Sequence, residues 1–292
     1  MIVLTDSELR EILPTLSDHY PKSIQLDAMI RNRLNGRCDW PGTEFVVDRY
    51  PEYSVLMCRP VKNHPNYVCW PRAYCVTLFC RNLERLEDVL REDDFVDWTQ
   101  RVAFFAVEKK SVSTALLKRF HELGSIEPMW ESDHCGIVHL LHPSHLVKSE
   151  LPEGFRFGEL LEAHAEQINR EWKYGTPDSL PFVQTVLRNK FPSSGIFTSD
   201  GSRLVAYILY MTDGSMFNGY VDPEFRYRGL YQAVNYDLAC KVVALGQPSA
   251  FLYVIEDNEA SLRSYAKLGA KRVDPAEWCV DWQSFTPPPP VE

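Results

Sequence analysis

The residues of this chain best suited to chemistry lie in two short stretches of its second half. The first runs Gly219-Tyr220-Val221-Asp222-Pro223-Glu224-Phe225-Arg226-Tyr227-Arg228-Gly229-Leu230-Tyr231. It reads as a strand that empties into a basic, glycine-containing turn and restarts as a helix, an arrangement that can hold a pyrophosphate. A helix start offers unpaired N–H groups and the positive end of the peptide dipole. Arg226 and Arg228 add side-chain charge at the same place. The second stretch, Asn258 to Gly269, has an asparagine at a helix start, Ser261 and Tyr265 four apart on one helix face, and a closing glycine.

An arginine-x-x-glycine turn by itself closes many ordinary strand-to-helix connections, so the flanking elements decide what it means. A strand over 216–221 follows Ile208-Leu209-Tyr210 and a Thr212-Asp213-Gly214 turn. Apolar residues at Leu230, Val234, Leu238 and Val242 give the next helix its period, and Gly246 its stop. A short buried-type strand over 250–255 leads into the Asn258 stretch. Upstream, the pattern predicts helices over 162–172 and 178–190 and strands over 195–198 and 204–210. The first half predicts a helix over 7–16 capped by Ser7, strands at 45–47, 53–58, 75–80, 102–107 and 136–141, and helices at 83–90 and 111–123.

The two stretches together resemble the acyl-CoA-binding motifs of the GNAT superfamily of N-acyltransferases. The second half resembles the glycine N-acyltransferase family in particular, through Leu151-Pro152-Glu153-Gly154-Phe155, Ile168-Asn169-Arg170-Glu171-Trp172-Lys173-Tyr174-Gly175 and Pro223-Glu224-Phe225-Arg226. The first half is similar more loosely, through Pro21-Lys22-Ser23 and Val46-Val47-Asp48-Arg49-Tyr50-Pro51-Glu52-Tyr53. The resemblance implies an α/β (α+β) chain of GNAT fold. Its parts would be a degenerate GNAT-like domain over 1–147, an acyl-CoA-binding GNAT domain over 148–286 and a proline-rich tail over 287–292. The strand at 102–107 runs into Glu108-Lys109-Lys110-Ser111 without a glycine, so one active site per chain is expected.

Acyl-CoA is then the implied co-substrate. The residues implied to bind it are Tyr220, Val221, Asp222, Arg226, Tyr227, Arg228, Gly229, Leu230, Tyr231 and Asn258. Asn258 also suits a plain helix cap. A strand splayed over 218–222 would free backbone N–H groups for the carbonyl and the pantetheine arm. Tyr265 is implied as proton donor to the CoA sulfur, and a core tyrosine is its bland alternative. The family uses a glutamate early in the strand before Pro-Glu-aromatic-Arg. Counting back without gaps places Ser215 there, and a serine is too weak a base to deprotonate an ammonium. A water-linked Glu256 or Asp213 would have to act instead, or the amine arrives neutral, or the reaction is slow. Glu224, at the mouth of a helix, reads as a partner of the dipole.

Composition bounds the partners. A formal net charge of −9 argues against nucleic acid or an anionic membrane as the main ligand. Eight scattered cysteines without a C-x-x-C pair read as reduced thiols. The first residues match neither a secretory nor a typical mitochondrial leader, and no stretch is long enough to span a membrane. An intracellular soluble protein, cytoplasmic or of the mitochondrial matrix, is expected. His134, Cys135, His139, His142 and His145 crowd together, but strand alternation turns neighbours to opposite faces and the spacing matches no known ligand pair, so no metal is expected. Three functions remain open: acylation of a small amine such as glycine, acylation of a protein or other metabolite amine, and CoA binding without catalysis.

Overall fold

The computed structural model describes residues 1–65, 67–68, 73–126 and 135–289; Cys69, His134 and Pro290 lie outside them. The chain forms two compact units, neither contiguous in sequence. One is Met1–Leu34, Trp40–Ile137 and Asp274–Glu292, and the other Asn35–Asp39 and Val138–Val273. A contiguous division at 147 would instead leave residues 138–147 with the first part and the last strand with the second.

In the first unit β1 (Ile2–Val3), β2 (Thr43–Val47), β3 (Val55–Pro60) and β4 (Tyr74–Cys80) pair antiparallel in that order, and β5 (Val102–Glu108) joins β4 in parallel. The strand Val280–Phe285, absent from the sequence expectation, pairs antiparallel with β5. Helix α1 (Asp6–Leu16) is capped by Thr5 rather than Ser7. The Thr5 hydroxyl accepts from the Glu8 N–H while the Glu8 carboxylate accepts from the Thr5 N–H, a reciprocal box that leaves Ser7 inside the first turn. Helix α2 (Ile24–Leu34) escapes sequence reading because Gln25, Asp27 and Asn32 are buried in it, which erases an apolar stripe. Asp27 is fully buried and satisfied by Arg31 at 2.7 Å and the Tyr20 hydroxyl at 2.7 Å. Helices α3 (Leu83–Val89) and α4 (Val112–Glu122) follow β4 and β5. The core includes Phe95, Phe104, Phe120 and Phe285, grouped around Trp98, whose ring meets Phe285 edge-on at 5.1 Å. The unit boundary falls inside β6 (Gly136–Leu141).

In the second unit β7 (Phe155–Gly158) is followed by a 3-10 turn and α5 (Ala165–Glu171), then by another such turn and α6 (Leu180–Arg188). Next come β8 (Ser193–Thr198), β9 (Leu204–Tyr210), β10 (Met216–Val221), α7 (Leu230–Ala244), β11 (Ala250–Ile255), α8 (Glu259–Leu268) and β12 (Lys271–Arg272). Strands β7, β8, β9 and β10 form an antiparallel sheet with β10 at its edge, whereas β11 neighbours β6 in a different sheet. All seven residues of β9 are buried, as a central strand requires. The predicted apolar face of α7, Leu230, Val234, Leu238 and Val242, is buried throughout. Among the described residues no helix is long and apolar enough to cross a membrane. The described cysteines form no disulfide with one another, and burial pushes the Cys38 thiol up to about 12 and the Cys80 thiol up to about 11, away from the thiolate form.

The segment Asn169 to Gly175 is locked by its own polar groups. The Asn169 amide donates to the Thr176 carbonyl at 2.8 Å and accepts from the Ser179 hydroxyl at 2.5 Å. A Cβ at Gly175 would lie 1.9 Å from the Asn169 carbonyl oxygen. The Gly175→Ala variant is therefore expected to lose about 1–3 kcal/mol through forced backbone displacement, read as a melting temperature lower by roughly 2–4 °C per kcal/mol. An unchanged melt would show that the loop relaxes freely.

Candidate active site

The site begins where the second unit breaks its ladder. On one side β10 pairs with β9, but Phe217 faces Leu209 and Tyr220 faces Tyr207, so Asn218 and Gly219 together oppose Ile208. That extra residue is a bulge, and Asn218 takes the left-handed conformation at φ 53°. The Asp222 N–H bonds inward to the Val205 carbonyl at 2.8 Å. By alternation the N–H and C=O of Val221 point to the opposite, open edge. The Arg226 Nε donates to that Val221 carbonyl at 3.2 Å from the same side. The splayed strand expected over 218–222 is thus present, with β11 in a separate sheet.

The turn that follows has a rigid outer wall and an open inner one. The Asp222 carboxylate caps the Pro223–Phe225 turn through the Glu224 N–H at 3.0 Å. Arg203, from the start of β9, bridges Asp222 at 2.7 Å and Glu224 at 2.6 Å. Both carboxylates therefore serve the turn, in keeping with the structural reading of Glu224. Hydrogen bonds to Glu224 and Asp222 raise the Arg203 pKa further. Tyr227 and Gly229 both adopt positive φ, 63° and 80°, and Gly229 gives α7 no side-chain cap. The N–H groups of Leu230, Tyr231 and Gln232 consequently find no acceptor among the described residues. Arg226 and Arg228 are exposed and carry no ion pair among the described residues; the Arg228 guanidinium lies 5.6 Å from the Phe225 ring centre. Tyr227 is wholly exposed. Left-handed residues alternating with Arg228, free N–H groups and unneutralised arginines are the features from which an anion site can be built.

The first unit supplies a contrast. In its parallel strand–helix–strand element, β4–α3–β5, the connection before the helix is Arg81-Asn82 and, like the segment after β5, lacks a glycine. There Asn82 caps α3 by accepting from the Arg85 N–H at 3.0 Å. A helix start closed by its own side chain has fewer N–H groups to offer an anion.

Beside the bulge lies a buried group of hydroxyls. Asn258 caps α8 through the Ser261 N–H at 3.2 Å and Gly269 ends it in the left-handed conformation, which fixes Tyr265 on the inner face. Tyr265 is 3% exposed. Its hydroxyl lies 2.8 Å from that of Tyr231 and donates to the Asn235 Oδ1 at 3.0 Å, while its ring meets those of Tyr231 and His139 at 5.8 and 5.7 Å. Burial raises the Tyr265 hydroxyl well above the ordinary phenol value, and raises that of Tyr231 as well. Ser215 is 3% exposed and donates its hydroxyl to Asp213 at 2.6 Å, while its N–H donates to the same carboxylate oxygen at 3.0 Å. Glu256 is exposed.

Several groups at this place are not legible in the motifs. Asn235 is fully buried, and its only sequence signal is a polar residue four after Tyr231, beside the apolar face of Leu230, Val234, Leu238 and Val242. The Tyr231 side chain turns inward, although the turn alone pointed to its backbone. Trp172 and Phe182 meet Phe217 at 5.8 and 6.0 Å and build an aromatic wall behind β10. Tyr220 stacks on Tyr207 at 5.3 Å, with Glu171 close enough to raise both phenols after burial itself. The buried Asn218 Nδ2 has no acceptor among the described residues. No group of three or more His, Cys, Asp or Glu among the described residues is arranged to hold a metal ion.

Comparison with known proteins agrees with this geometry. The chain is 24% identical over 95% of its length to human glycine N-acyltransferase-like protein 2, covering 96% of that protein. It is 22% identical over 92% of its length to human putative glycine N-acyltransferase-like protein 1B, covering 93% of it. A crystal structure of a Drosophila protein superposes with a TM-score of 0.79 at 16% identity, over 98% of both chains. A tandem GNAT protein from the clavulanic acid biosynthesis pathway superposes with a TM-score of 0.52 at 10% identity, over 100% of this chain and 99% of that one. The fold is accordingly that of GNAT enzymes. Residues 193–279 match the FR47-like protein family. Residues 1–192 match the aralkyl acyl-CoA:amino acid N-acyltransferase family, and with the splayed strand, open helix start and buried tyrosines now located, the chain belongs to that family.

Proposed function

We propose that this protein transfers an acyl group from acyl-CoA to the amine of a small acceptor, glycine or another amino acid. The observation that carries the reading is the pairing of an open helix start, flanked by two exposed arginines, with an unpaired strand edge on β10. The N–H groups of Gly229, Leu230 and Tyr231, with Arg226 and Arg228, would hold the pyrophosphate, and Tyr227 would line its approach. Tyr220, Val221 and Asp222 would carry the pantetheine along the open edge, with Asn258 at the far wall. The bulge leaves the Asn218 amide as a donor for the thioester carbonyl.

In the reaction the amine nitrogen adds to the thioester carbon, the C–S bond then breaks, and the departing sulfur takes a proton from Tyr265 to leave as CoA thiol. The proton lost by the amine goes to water. Ser215 cannot accept it directly, because its hydroxyl donates to Asp213 and that carboxylate is itself buried. This arrangement favours a substrate amine that arrives neutral. It also supports a second reading, in which the protein binds acyl-CoA without transferring the group.

Release of free CoA from acetyl-CoA or benzoyl-CoA with a panel of amino acids separates the two. CoA binding without release by any donor would sink the enzymatic reading. Arg228→Ala is expected to weaken CoA binding roughly tenfold, the value of one charge-assisted contact, and unchanged affinity would remove Arg228 from the site. Tyr265→Phe is expected to lower kcat about 100-fold with CoA affinity preserved; an unchanged kcat would leave Tyr265 as packing. A proton donor with a raised pKa stays protonated as pH rises. The kcat/KM should therefore climb as the amine deprotonates and show no fall assignable to Tyr265 below about pH 10. A descending limb between pH 7 and 9 that vanishes in Tyr265→Phe would contradict this.

A further inference from the structure

We propose that Tyr231 and Tyr265 act at the CoA sulfur as one proton-donating unit, with Asn235 as the positioning residue that sets the direction of its hydrogen bonds. The inference rests on the acyl-CoA reading of the site. The direction follows from the bonds. The Asn235 Nδ2 donates to the Tyr231 main-chain carbonyl at 2.8 Å, which turns Oδ1 toward Tyr265. Oδ1 accepts the Tyr265 proton at 3.0 Å. The hydrogen between the two hydroxyls, 2.8 Å apart, is then the one on Tyr231, whose oxygen also has the Ser261 side chain as a hydrogen-bond partner. Tyr231 donates to Tyr265, and Tyr265 to Asn235.

Position complements direction. Tyr231 is set on the first turn of α7, and its ring lies along the bulge. A Cβ added at Gly219 would come within 3.0 Å of the Tyr231 ring and 3.2 Å of its hydroxyl. Tyr231 is therefore the hydroxyl that borders the bulge of β10, and Tyr265 the more buried of the two. A tyrosine kept only for packing would need no hydroxyl here, since phenylalanine fills the same space.

The chemistry needs both oxygens. When the C–S bond breaks, the sulfur gains an electron pair and removes a proton from one phenol, leaving a phenolate. A lone phenolate in so buried a place is poorly solvated. If Tyr265 gives the proton, the Tyr231 hydroxyl already points at the new charge. If Tyr231 gives it, the Tyr265 O–H can turn from Asn235 toward Tyr231. Either way the charge is held by a charge-assisted hydrogen bond, about twice as strong as a neutral one. Water returns the proton once CoA thiol has left.

The test compares the wild type with Tyr231→Phe, Tyr265→Phe and the double variant, in two measurements. The first is the ionisation of the thiol of bound CoA, followed by thiolate absorbance with no acyl acceptor present. The unit should lower that midpoint by about one pH unit relative to free CoA. Each single variant should lose most of the shift, and the double variant no more than the worse single. The second is kcat with acetyl-CoA or benzoyl-CoA and the best amino acid. Each single variant should fall about 30–100-fold and the double by about the same factor, because groups that act as a unit are not additive. CoA affinity and melting temperature serve as folding controls, and Asn235→Asp provides a variant that keeps both phenols. Its carboxylate should raise the thiol midpoint above that of the wild type. A thiol midpoint in the wild type equal to that of free CoA, insensitivity to Tyr231→Phe, or multiplicative losses in the double variant would each overturn the proposal. If the thiol pattern holds but the wild type releases no CoA, the unit stands and acyl transfer falls. If turnover holds and Tyr231→Phe matches the wild type in both measurements, the unit falls and acyl transfer stands.

Discussion

Strands β10 and β11 do not share a hydrogen-bonded ladder, and the rest of the site depends on that separation. A strand in the middle of a sheet spends its N–H and C=O groups on its neighbours, so it has nothing left for a ligand. Here β10 ends one sheet while β11 lies in another. The bulge at Asn218 and Gly219 strengthens the divergence by adding a residue to β10 that β9 does not match. Unpaired backbone on the open edge of β10 is costly unless water or a ligand meets it.

Charge is distributed to suit the same purpose. The protein carries a net charge of −9, and many of its arginines in the described residues are tied to carboxylates. Arg203 is one, held by Asp222 and Glu224 so that the turn keeps its shape. Arg226 and Arg228 are left without an acid among the described residues, at the mouth of a helix whose first N–H groups are also free. In the first unit the corresponding helix start is closed by Asn82, and Arg85 is drawn to Asp48 at 3.1 Å and Glu92 at 2.8 Å. The same strand–helix–strand element thus occurs once with its helix start closed and once with it open.

The hydroxyls of Tyr231 and Tyr265 and the amide of Asn235 are the polar centre of the second unit. Their hydrogen bonds join α7 to α8, and a buried polar group that is fully bonded specifies a single arrangement more sharply than apolar packing does. Ser215, which an ungapped count places where the family would carry its base, donates its proton to Asp213. On the proposed reading, the second unit offers buried phenols for a leaving sulfur and no free carboxylate beside Ser215 for an incoming nitrogen.

Much of this was readable in the sequence wherever the signal was local. Helix α8 begins at Asn258 and ends at Gly269, and α7 buries the four apolar residues that its period predicts. Caps, glycine stops and helical spacing act over a few residues and need no knowledge of the rest of the chain. Local signals can still mislead, as with Ser7, one turn position inside the helix that Thr5 caps. Helix α2 was hidden because Asp27 is buried only by virtue of Arg31 and Tyr20. What tertiary structure alone decided were pairings between distant residues. These were the strand Val280–Phe285 placed beside β5, Arg203 bridging the turn, β11 assigned to a separate sheet, and Tyr231 meeting Tyr265 across 34 residues of chain. The sequence determined that a basic glycine turn opening a helix and a tyrosine-bearing helix exist. Only folding could decide that β10 ends its sheet and that two phenols meet at 2.8 Å, because both depend on which distant groups reach each other.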